Sequence, residues 1–218
     1  MNRTSWLVAD PVVERIELAD ASWVDVVRGL VPNADTVHDD LMAAVTWEPS
    51  RVFRYERWID EPRVAAMQRG DERHPALQDV QQWFMRRYRI SLPGSVPLVL
   101  YRDERDSVGF HRDRELRWLE DTIIGVLTLG AKRPWLMKPL SGRRYDEDDM
   151  TGVIDLAPAS GDLLVMGGRC QAAWLHAVPK VQGRCRTRIS AQWRWTSRRG
   201  RRDPNPSYYA PRHFGRRP

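Results

Sequence analysis

The chain has 218 residues, of which 42% are hydrophobic, so it can bury the core of one enzyme-sized domain. Its two cysteines, Cys170 and Cys185, lie outside any CxxC spacing, which excludes a disulfide framework. The first ten residues lack the apolar stretch of a secretory signal, and no run of about 18 apolar residues could span a bilayer. We therefore expect a soluble cytoplasmic protein without a membrane partner.

The net charge of +6 is concentrated at the C-terminus. Residues 198–218 contain seven arginines and one aspartate, so this segment alone accounts for the charge of the whole chain. We expect residues 198–218 to form a flexible basic tail. Two interpretations stay open: the tail keeps the protein soluble, or it binds phosphate backbones weakly and without sequence preference.

Two segments of the N-terminal region are predicted to be helical. They are residues 21–32 and residues 74–88. In the second segment, apolar side chains recur every three to four residues, and Pro75 suits the first turn of a helix. We therefore expect residues 1–95 to be mainly helical.

After Pro93 and Gly94 the apolar pattern changes to short strands separated by Gly, Pro and charged clusters. The predicted strands are residues 96–101, 122–130, 134–140, 152–157, 162–166, 172–178 and 187–195. Helices followed by about seven strands favour an α+β or mainly-β fold, with the helices packed on one face of a pair of sheets. We expect one structural domain, with residues 96–197 as its strand-rich core.

The stretch VGFHRDRE, residues 108–115, contains a possible metal site. On a strand, His111 and Asp113 would point to the same face, and His176 on a later predicted strand could supply a third ligand. Two histidines and a carboxylate form the facial triad of non-haem Fe(II) oxygenases, although the same ligands could hold zinc. An HxD pair alone is weak evidence, since His38 begins a second one.

Two arginines on the last predicted strand favour an anionic ligand. Arg188 and Arg194 are six residues apart and therefore share one face of a strand. Buried arginines without a partner are costly, so a dicarboxylate co-substrate would satisfy both. The alternative is a pair of surface or ion-paired arginines.

Three stretches taken together resemble the AlkB-like Fe(II)/2-oxoglutarate dioxygenases. They are YRDERDSVGFHRDRE (101–115), GDLLVMGGRCQAAWLHAVPK (161–180) and RISAQWR (188–194), and they occur in the family's order and at its spacing. The resemblance extends over residues 96–196. It implies that the core is a double-stranded β-helix, also called a jelly roll, that binds Fe(II), 2-oxoglutarate and O2.

The resemblance also implies a role for individual residues. The implied iron ligands are His111, Asp113 and His176. The implied 2-oxoglutarate contacts are Tyr101, Arg188 and Arg194. Glu115 corresponds to an acidic position that helps to recognise the target base.

The segment of residues 47–71 resembles the nucleotide-recognition lid of the family, including its Pro62-Arg63 pair. A stacking aromatic residue is replaced around Met67, so we expect Met67 and Trp47 to contact the substrate, with Phe53, Tyr55 and Trp58 as further candidates. The alternative, which the sequence favours for the four aromatic residues, is that they pack in the core or within the lid. A second departure is Val99, where relatives commonly carry an asparagine that contacts 2-oxoglutarate. One lost hydrogen bond weakens co-substrate binding only modestly.

The implied function is oxidative removal of N-alkyl groups from nucleic-acid bases, as in DNA repair. Its expected partner is alkylated single-stranded DNA or RNA, with no obligate protein partner. One alternative is a hydroxylase or demethylase that acts on a protein or a small molecule. A catalytically inactive nucleic-acid-binding module is a third, less favoured because the triad and both arginines are complete.

Overall fold

The computed structural model describes residues 4–54, 56–140, 149–204 and 212–214. The N-terminal elements are β1 (Glu14–Leu18), β2 (Ser22–Val27), α1 (Ala34–Ala44), β3 (Glu48–Arg54), β4 (Arg57–Arg69), α2 (Pro75–Tyr88) and β5 (Ser95–Tyr101). The remaining elements are β6 (Val108–His111), β7 (Thr122–Gly130), β8 (Leu136–Pro139), β9 (Ile154–Asp155), β10 (Leu163–Gly168), α3 (Cys170–Ala173), β11 (Trp174–Val178), β12 (Arg188–Thr196) and β13 (Arg212–Phe214). Within the described ranges, no helix has the length and apolar character needed to cross a membrane.

The strands form two antiparallel sheets. The larger sheet has nine strands in the order β1-β2-β10-β7-β12-β5-β4-β3-β13, and the smaller has four in the order β6-β11-β8-β9. A buried cluster lies between them, with Tyr101 and Val126 from the larger sheet and Met137 and Val178 from the smaller one. This arrangement confirms the predicted mainly-β, jelly-roll fold.

The two longer helices cover the other face of the larger sheet. Helix α2 begins at Pro75, as predicted, and the Nδ1 atom of His74 accepts a hydrogen bond from the backbone N–H of Ala76 at 3.1 Å. Leu77, Val80 and Phe84 of α2 are fully buried against the sheet. A Cβ atom at Gly125 would lie 2.7 Å from the ring of Phe84, so this close approach of helix and strand requires glycine.

The prediction of a helix at residues 21–32 is wrong, because this segment contains strand β2 followed by a turn. Strand β2 lies between β1 and β10 and is covered on both faces: Val24 and Val26 face the other sheet, whereas Val27 packs below the helices. A strand buried on both faces has a nearly continuous apolar sequence, which imitates helical spacing.

Residues 1–95 are also less helical than expected. Strands β3 and β4 form a hairpin within the segment that resembles the lid, and β4 pairs with β5 in register from Val64–Leu100 to Arg69–Ser95. Helix α1 was not predicted. The N-terminal region therefore extends the same sheet that carries the core, and the expected boundary at residue 95 lies inside continuous strand pairing.

Most strands predicted after residue 95 are confirmed, with small shifts at their ends. The predicted strand 172–178 begins with the short helix α3, and the predicted strand 152–157 is reduced to the two residues of β9. The basic tail is described at residues 198–204 and at β13, which pairs with β3. Residues 205–211 and 215–218 of the tail lie outside the described residues. Tyr55, one of the further candidates for a substrate contact, also lies outside them.

Candidate metal centre and co-substrate pocket

The smaller sheet places two histidines side by side. Strands β6 and β11 are antiparallel neighbours, and His111 pairs directly with His176, with ring centroids 4.2 Å apart. The Nε2 atoms of His111 and His176 lie 3.7 and 3.9 Å from Oδ1 of Asp113. Ligand atoms of the three residues all lie within 4.8 Å of one another, a spacing that can hold one metal ion.

Both histidine rings are held by contacts outside the triad. The Nδ1 atom of His111 forms a 2.9 Å hydrogen bond with the carbonyl oxygen of Gly109, which leaves Nε2 as the ligand atom. The ring of His176 is stacked on Trp135, with centroids 5.5 Å apart and planes inclined by 16°. The rings are therefore oriented before any metal binds.

Asp113 does not lie on a strand, in contrast to the expectation for an HxD pair. It follows the end of β6, with φ −80° and ψ 65°, directly before a turn of 3-10 helix at Arg114–Leu116. Its backbone N–H donates to Oε1 of Gln171 at 2.7 Å, and its Oδ2 atom accepts from Nε of Arg194 at 2.6 Å. These two bonds fix the carboxylate and turn Oδ1 towards the histidines.

The charges of the triad suit a divalent cation. Burial alone would raise the pKa of Asp113, but the charge of Arg194, followed by those of His176 and His111, lowers it well below its usual range. Burial lowers the pKa of His176 to about 3 and also lowers the pKa of His111. The site therefore offers one carboxylate and two neutral imidazoles at neutral pH, which are the forms that bind metals.

A second candidate site, the Arg188 pocket, is the buried surrounding of Arg188, where β12 passes between β5 and β7. Arg188 is opposite Tyr101 on one neighbouring strand and Gly130 on the other, and it is fully buried. Its Nη2 atom donates to Oγ1 of Thr128 at 3.1 Å, whereas its Nε and Nη1 atoms are buried without a hydrogen-bond partner among the described residues. Burial lowers the pKa of Arg188 to about 10.

Unpaired guanidinium nitrogens in a buried position are costly unless an anion binds there. A carboxylate matches the charge of Arg188 and can accept a hydrogen bond from either of these nitrogens. The Arg188 side chain therefore suits one carboxylate of a dicarboxylate such as 2-oxoglutarate.

Tyr101 is surrounded by three arginines, Arg133, Arg188 and Arg63. The Cζ atoms of Arg133 and Arg188 are 5.3 and 5.9 Å from the centre of its ring. The Nη2 atom of Arg63 donates to Oε1 of Glu61 at 3.0 Å, and its guanidinium lies close to Tyr101 and adds positive charge near both histidines. The sequence identified Arg63 only as part of the Pro62-Arg63 pair, and the pairing of β4 with β5 is what brings it to the site.

The three expected substrate contacts have different positions. The Oε1 atom of Glu115 lies 3.9 Å from Nε of Arg194, and about half of the Glu115 side chain is exposed at the rim of the metal centre. Met67 is also exposed, on the strand next to Pro97. The expectation that Trp47 contacts the substrate is corrected. Its side chain packs against the core between the larger sheet and the helices, on the opposite face of that sheet from the triad.

Other candidates fall outside the centre. In the second HxD pair, Nδ1 of His38 bonds to Asp39 at 2.8 Å and Nε2 bonds to Oγ1 of Thr187 at 3.0 Å, so this histidine has a structural role. Phe53 and Trp58 are exposed and contact each other edge to face on the β3–β4 hairpin, with ring centroids 5.5 Å apart. Neither pair reaches the triad in the described residues.

Gln171 and Arg133 were not identified from the sequence. Gln171 is fully buried on α3 and contacts Asp113 across 58 positions of the chain. Arg133 donates to the carbonyl oxygens of Asp103, Asp106 and Pro179. These contacts join residues that are distant in the chain, so no local sequence pattern predicts them.

The comparison with protein families identifies the class of protein. The family model of the 2OG-Fe(II) oxygenase superfamily matches residues 34–202. This match covers well over half of the chain, so the protein belongs to that superfamily. The cofactor of the superfamily is Fe(II) and its co-substrates are 2-oxoglutarate and O2, which the triad and the Arg188 pocket fit.

Curated relatives confirm the resemblance to AlkB-like members. Alpha-ketoglutarate-dependent dioxygenase alkB homolog 3 of Bos taurus is 30% identical over 176 residues, which are 74% of this chain and 61% of the relative. The homologue of the same name in Homo sapiens is 27% identical over 179 residues, which are 75% of this chain and 62% of the relative. The chain therefore spans less than two thirds of the length of these relatives.

A solved structure confirms the fold alone. The prolyl hydroxylase of Trichoplax adhaerens, solved with a peptide of hypoxia inducible factor, has a TM-score of 0.54 and 12% sequence identity. The match covers 79% of this chain and 83% of that structure.

Proposed function

We propose that the protein is an Fe(II)- and 2-oxoglutarate-dependent dioxygenase that removes N-alkyl groups from nucleic-acid bases. The observation that carries the proposal is the combination of a His-Asp-His triad with a buried arginine whose Nε and Nη1 atoms have no hydrogen-bond partner in the part of the chain that the structure describes. The resemblance to AlkB-like enzymes supports a nucleic-acid substrate, as does the acidic side chain of Glu115 beside Arg194.

In this proposal His111, Asp113 and His176 hold the iron. Arg188 binds the distal carboxylate of 2-oxoglutarate, and Tyr101 is placed to hydrogen bond to the same co-substrate. Bound iron, 2-oxoglutarate and O2 supply the oxidation of a C–H bond, and an N-methyl group oxidised in this way is released as formaldehyde.

Arg194 acts mainly through Asp113. Its 2.6 Å hydrogen bond to Oδ2 keeps that oxygen away from the metal position and leaves Oδ1 to coordinate. We infer that Arg194 positions the ligand, in addition to any contact with the co-substrate implied by the resemblance. Gln171 supports the same residue from the backbone side.

A base inside a duplex cannot reach this centre, which is built between two sheets. The target nucleotide has to leave the stack, and this costs least in single strands. We therefore propose alkylated single-stranded DNA or RNA as the substrate. Glu115 at the rim of the metal centre and the exposed Met67 on β4 are the proposed contacts of the target nucleotide.

The test is mass spectrometry of single-stranded oligonucleotides that carry 1-methyladenine or 3-methylcytosine, as DNA and as RNA. Each is incubated with the protein, Fe(II), ascorbate and 2-oxoglutarate, with His111→Ala as the control. Loss of one methylene equivalent only with the unaltered protein is the expected result. Formation of succinate without loss of mass from any oligonucleotide would contradict the nucleic-acid substrate and favour a protein or small-molecule substrate.

A further inference from the structure

We propose that Arg198, Arg199 and Arg201 form a docking surface for the phosphate backbone of the nucleic-acid strand that flanks the target nucleotide. This inference rests on the proposed function and adds a second contact site outside the catalytic pocket. It concerns the part of the basic tail that leaves β12 and runs along the loop of residues 113–121.

The tail is anchored next to the metal centre by its one acidic residue. Asp203 forms a bidentate ion pair with Arg114, in which the bond from Nη2 to Oδ1 is 2.6 Å long, and both side chains are largely buried. The backbone N–H of Asp203 also donates to the carbonyl oxygen of Arg117 at 2.6 Å. Arg114 lies between Asp113 and Glu115 in the sequence, so the anchor holds the tail beside the site.

Further contacts hold the residues before the anchor. Arg202 forms an isolated β-bridge with Trp118, and its guanidinium lies 5.7 Å from the centre of that ring. The hydroxyl of Thr196 donates to the carbonyl oxygen of Trp118 at 2.9 Å, and Gly200 packs against Glu120. The backbone of residues 196–203 therefore follows the loop that carries Glu115.

These anchors leave three arginines directed to solvent. Arg198, Arg199 and Arg201 are exposed, and none forms an ion pair within the part of the chain that the structure describes. Glu120, the acid nearest to Gly200, is already paired with Arg169 at 2.5 Å. Three uncompensated positive charges thus lie within four residues on a supported backbone.

Charge complementarity favours a polyanion as the occupant. Residues 1–197 carry no net charge, so the attraction for a phosphate backbone comes from the tail. The tail makes a second contact with the protein at β13, which pairs with β3 of the hairpin that resembles the nucleotide lid. The described parts of the tail are thus attached to two elements, the loop that carries Glu115 and this hairpin, which suits a strand that passes the site.

The test compares two charge-matched triple variants in binding to a fluorescent single-stranded 20-mer. R198Q/R199Q/R201Q removes the proposed surface. R86Q/R87Q/R89Q removes three exposed arginines at the end of α2, on the opposite face of the larger sheet. The sets are also matched in backbone geometry, because Arg198 and Arg89 both have positive φ.

Fluorescence anisotropy over a range of salt concentrations gives the dissociation constant and its salt dependence. For single strands each phosphate contact contributes about 0.7 to the slope of log affinity against log salt, so the tail variant should reduce the slope by about 2. The α2 variant should keep the slope of the unaltered protein. Equal reductions in both variants, or none in the tail variant, would overturn the proposal.

A second variant tests the anchor with an effect of opposite sign. Asp203→Asn removes the anchor but makes the chain more positive by one charge. If only net charge mattered, binding would tighten. If the anchored geometry matters, binding should weaken about threefold or more, because the arginines lose their preorganised position. Tighter binding would overturn the proposal.

The controls separate this proposal from the proposed function. Thermal unfolding of each variant checks that the fold is retained. If the unaltered protein binds and demethylates the oligonucleotide while the tail variant keeps the same salt slope, only the docking surface is refuted. If the unaltered protein binds no oligonucleotide, both proposals fail. Binding to phosphatidylserine vesicles but not to the 20-mer would show that the arginines serve a membrane surface and would also refute the docking surface.

Discussion

Two arginine pockets flank Tyr101, and they differ in how the arginine is satisfied. Arg133 and Arg188 are almost equally buried. Among the residues that the structure describes, Arg133 donates to three backbone carbonyl oxygens and has one nitrogen, Nε, without a partner. Within the same residues, Arg188 donates to one hydroxyl, and its Nε and Nη1 atoms and the hydroxyl of Ser190 have no hydrogen-bond partner.

The difference teaches that burial of a charge does not by itself identify a ligand site. Arg133 joins the loop at residues 103–106 to Pro179 and belongs to the scaffold. At Arg188, by contrast, several buried polar atoms have no hydrogen-bond partner among the described residues. A bound carboxylate would supply the missing acceptor for the guanidinium nitrogens. Substitution of Arg133 should therefore change mainly the free energy of unfolding. Substitution of Arg188 should change mainly the Michaelis constant for 2-oxoglutarate.

The largest expected effect concerns the proposed iron ligands. His111→Ala should reduce turnover of 2-oxoglutarate by about a thousandfold or more, because metal-assisted chemistry contributes several kcal/mol. The measurement is succinate formation together with Fe(II) binding. Turnover close to that of the unaltered protein would contradict the assignment of His111 as a ligand.

Arg133→Met should lower the free energy of unfolding by about 3 kcal/mol, because three buried carbonyl oxygens lose their donor. Denaturant unfolding measures this change. The Michaelis constant for 2-oxoglutarate, measured well below the unfolding midpoint, should change much less than in the Arg188 variant. A large rise in that constant with unchanged stability would remove the distinction between the two pockets.

Arg188→Met should have the reverse pattern. Loss of a charge-assisted contact of about 2 to 3 kcal/mol would raise the Michaelis constant for 2-oxoglutarate about 30- to 150-fold. The free energy of unfolding should stay the same or rise, because a buried cation with few partners is replaced by an apolar side chain of similar length. Marked destabilisation with an unchanged Michaelis constant would refute the role in co-substrate binding.

The smallest expected effect comes from Val99, which pairs with Ala65 and Ser190 on the strands beside it. Val99→Asn restores the residue that relatives commonly carry at this position. One added hydrogen bond of about 1 kcal/mol should lower the Michaelis constant for 2-oxoglutarate about fivefold. Val99→Thr, which keeps the size but not the amide, is the control. An unchanged constant in both would show that the co-substrate does not reach Val99.

Much of the core could be predicted from the sequence, because strands such as β7 and β12 contain β-branched and aromatic residues and are bounded by Gly, Pro and charged clusters. The helix prediction at residues 21–32 was wrong because burial on both faces removes the alternation that identifies a strand. The β3–β4 hairpin was missed because its sequence is rich in charged residues, and its pairing with β5 and with β13 joins segments that are distant in the chain.

The site divides in the same way. The ligand candidates could be found because HxD is a local pattern, although Asp113 lies beyond the end of β6. The two arginines could be found because residues six apart share one face of strand β12. The roles of Gln171, Arg133 and Arg63 could not be found in this way, because their contacts with the site depend on packing between distant segments. The direction of Trp47 also depended on such packing, since an aromatic residue before a strand gives no indication of which face of the sheet it will cover.

The pairing of His111 with His176 has a consequence for metal exchange. The two imidazoles are set by the hydrogen-bond register of β6 and β11, and Asp113 is held by Gln171 and Arg194, so all three ligands are placed by protein contacts. In small zinc modules, by contrast, the ion itself assembles the structure. The protein should therefore stay folded when a chelator removes the metal, and the same site should bind the metal again. Its metal occupancy should depend on the concentration of free metal and not on folding.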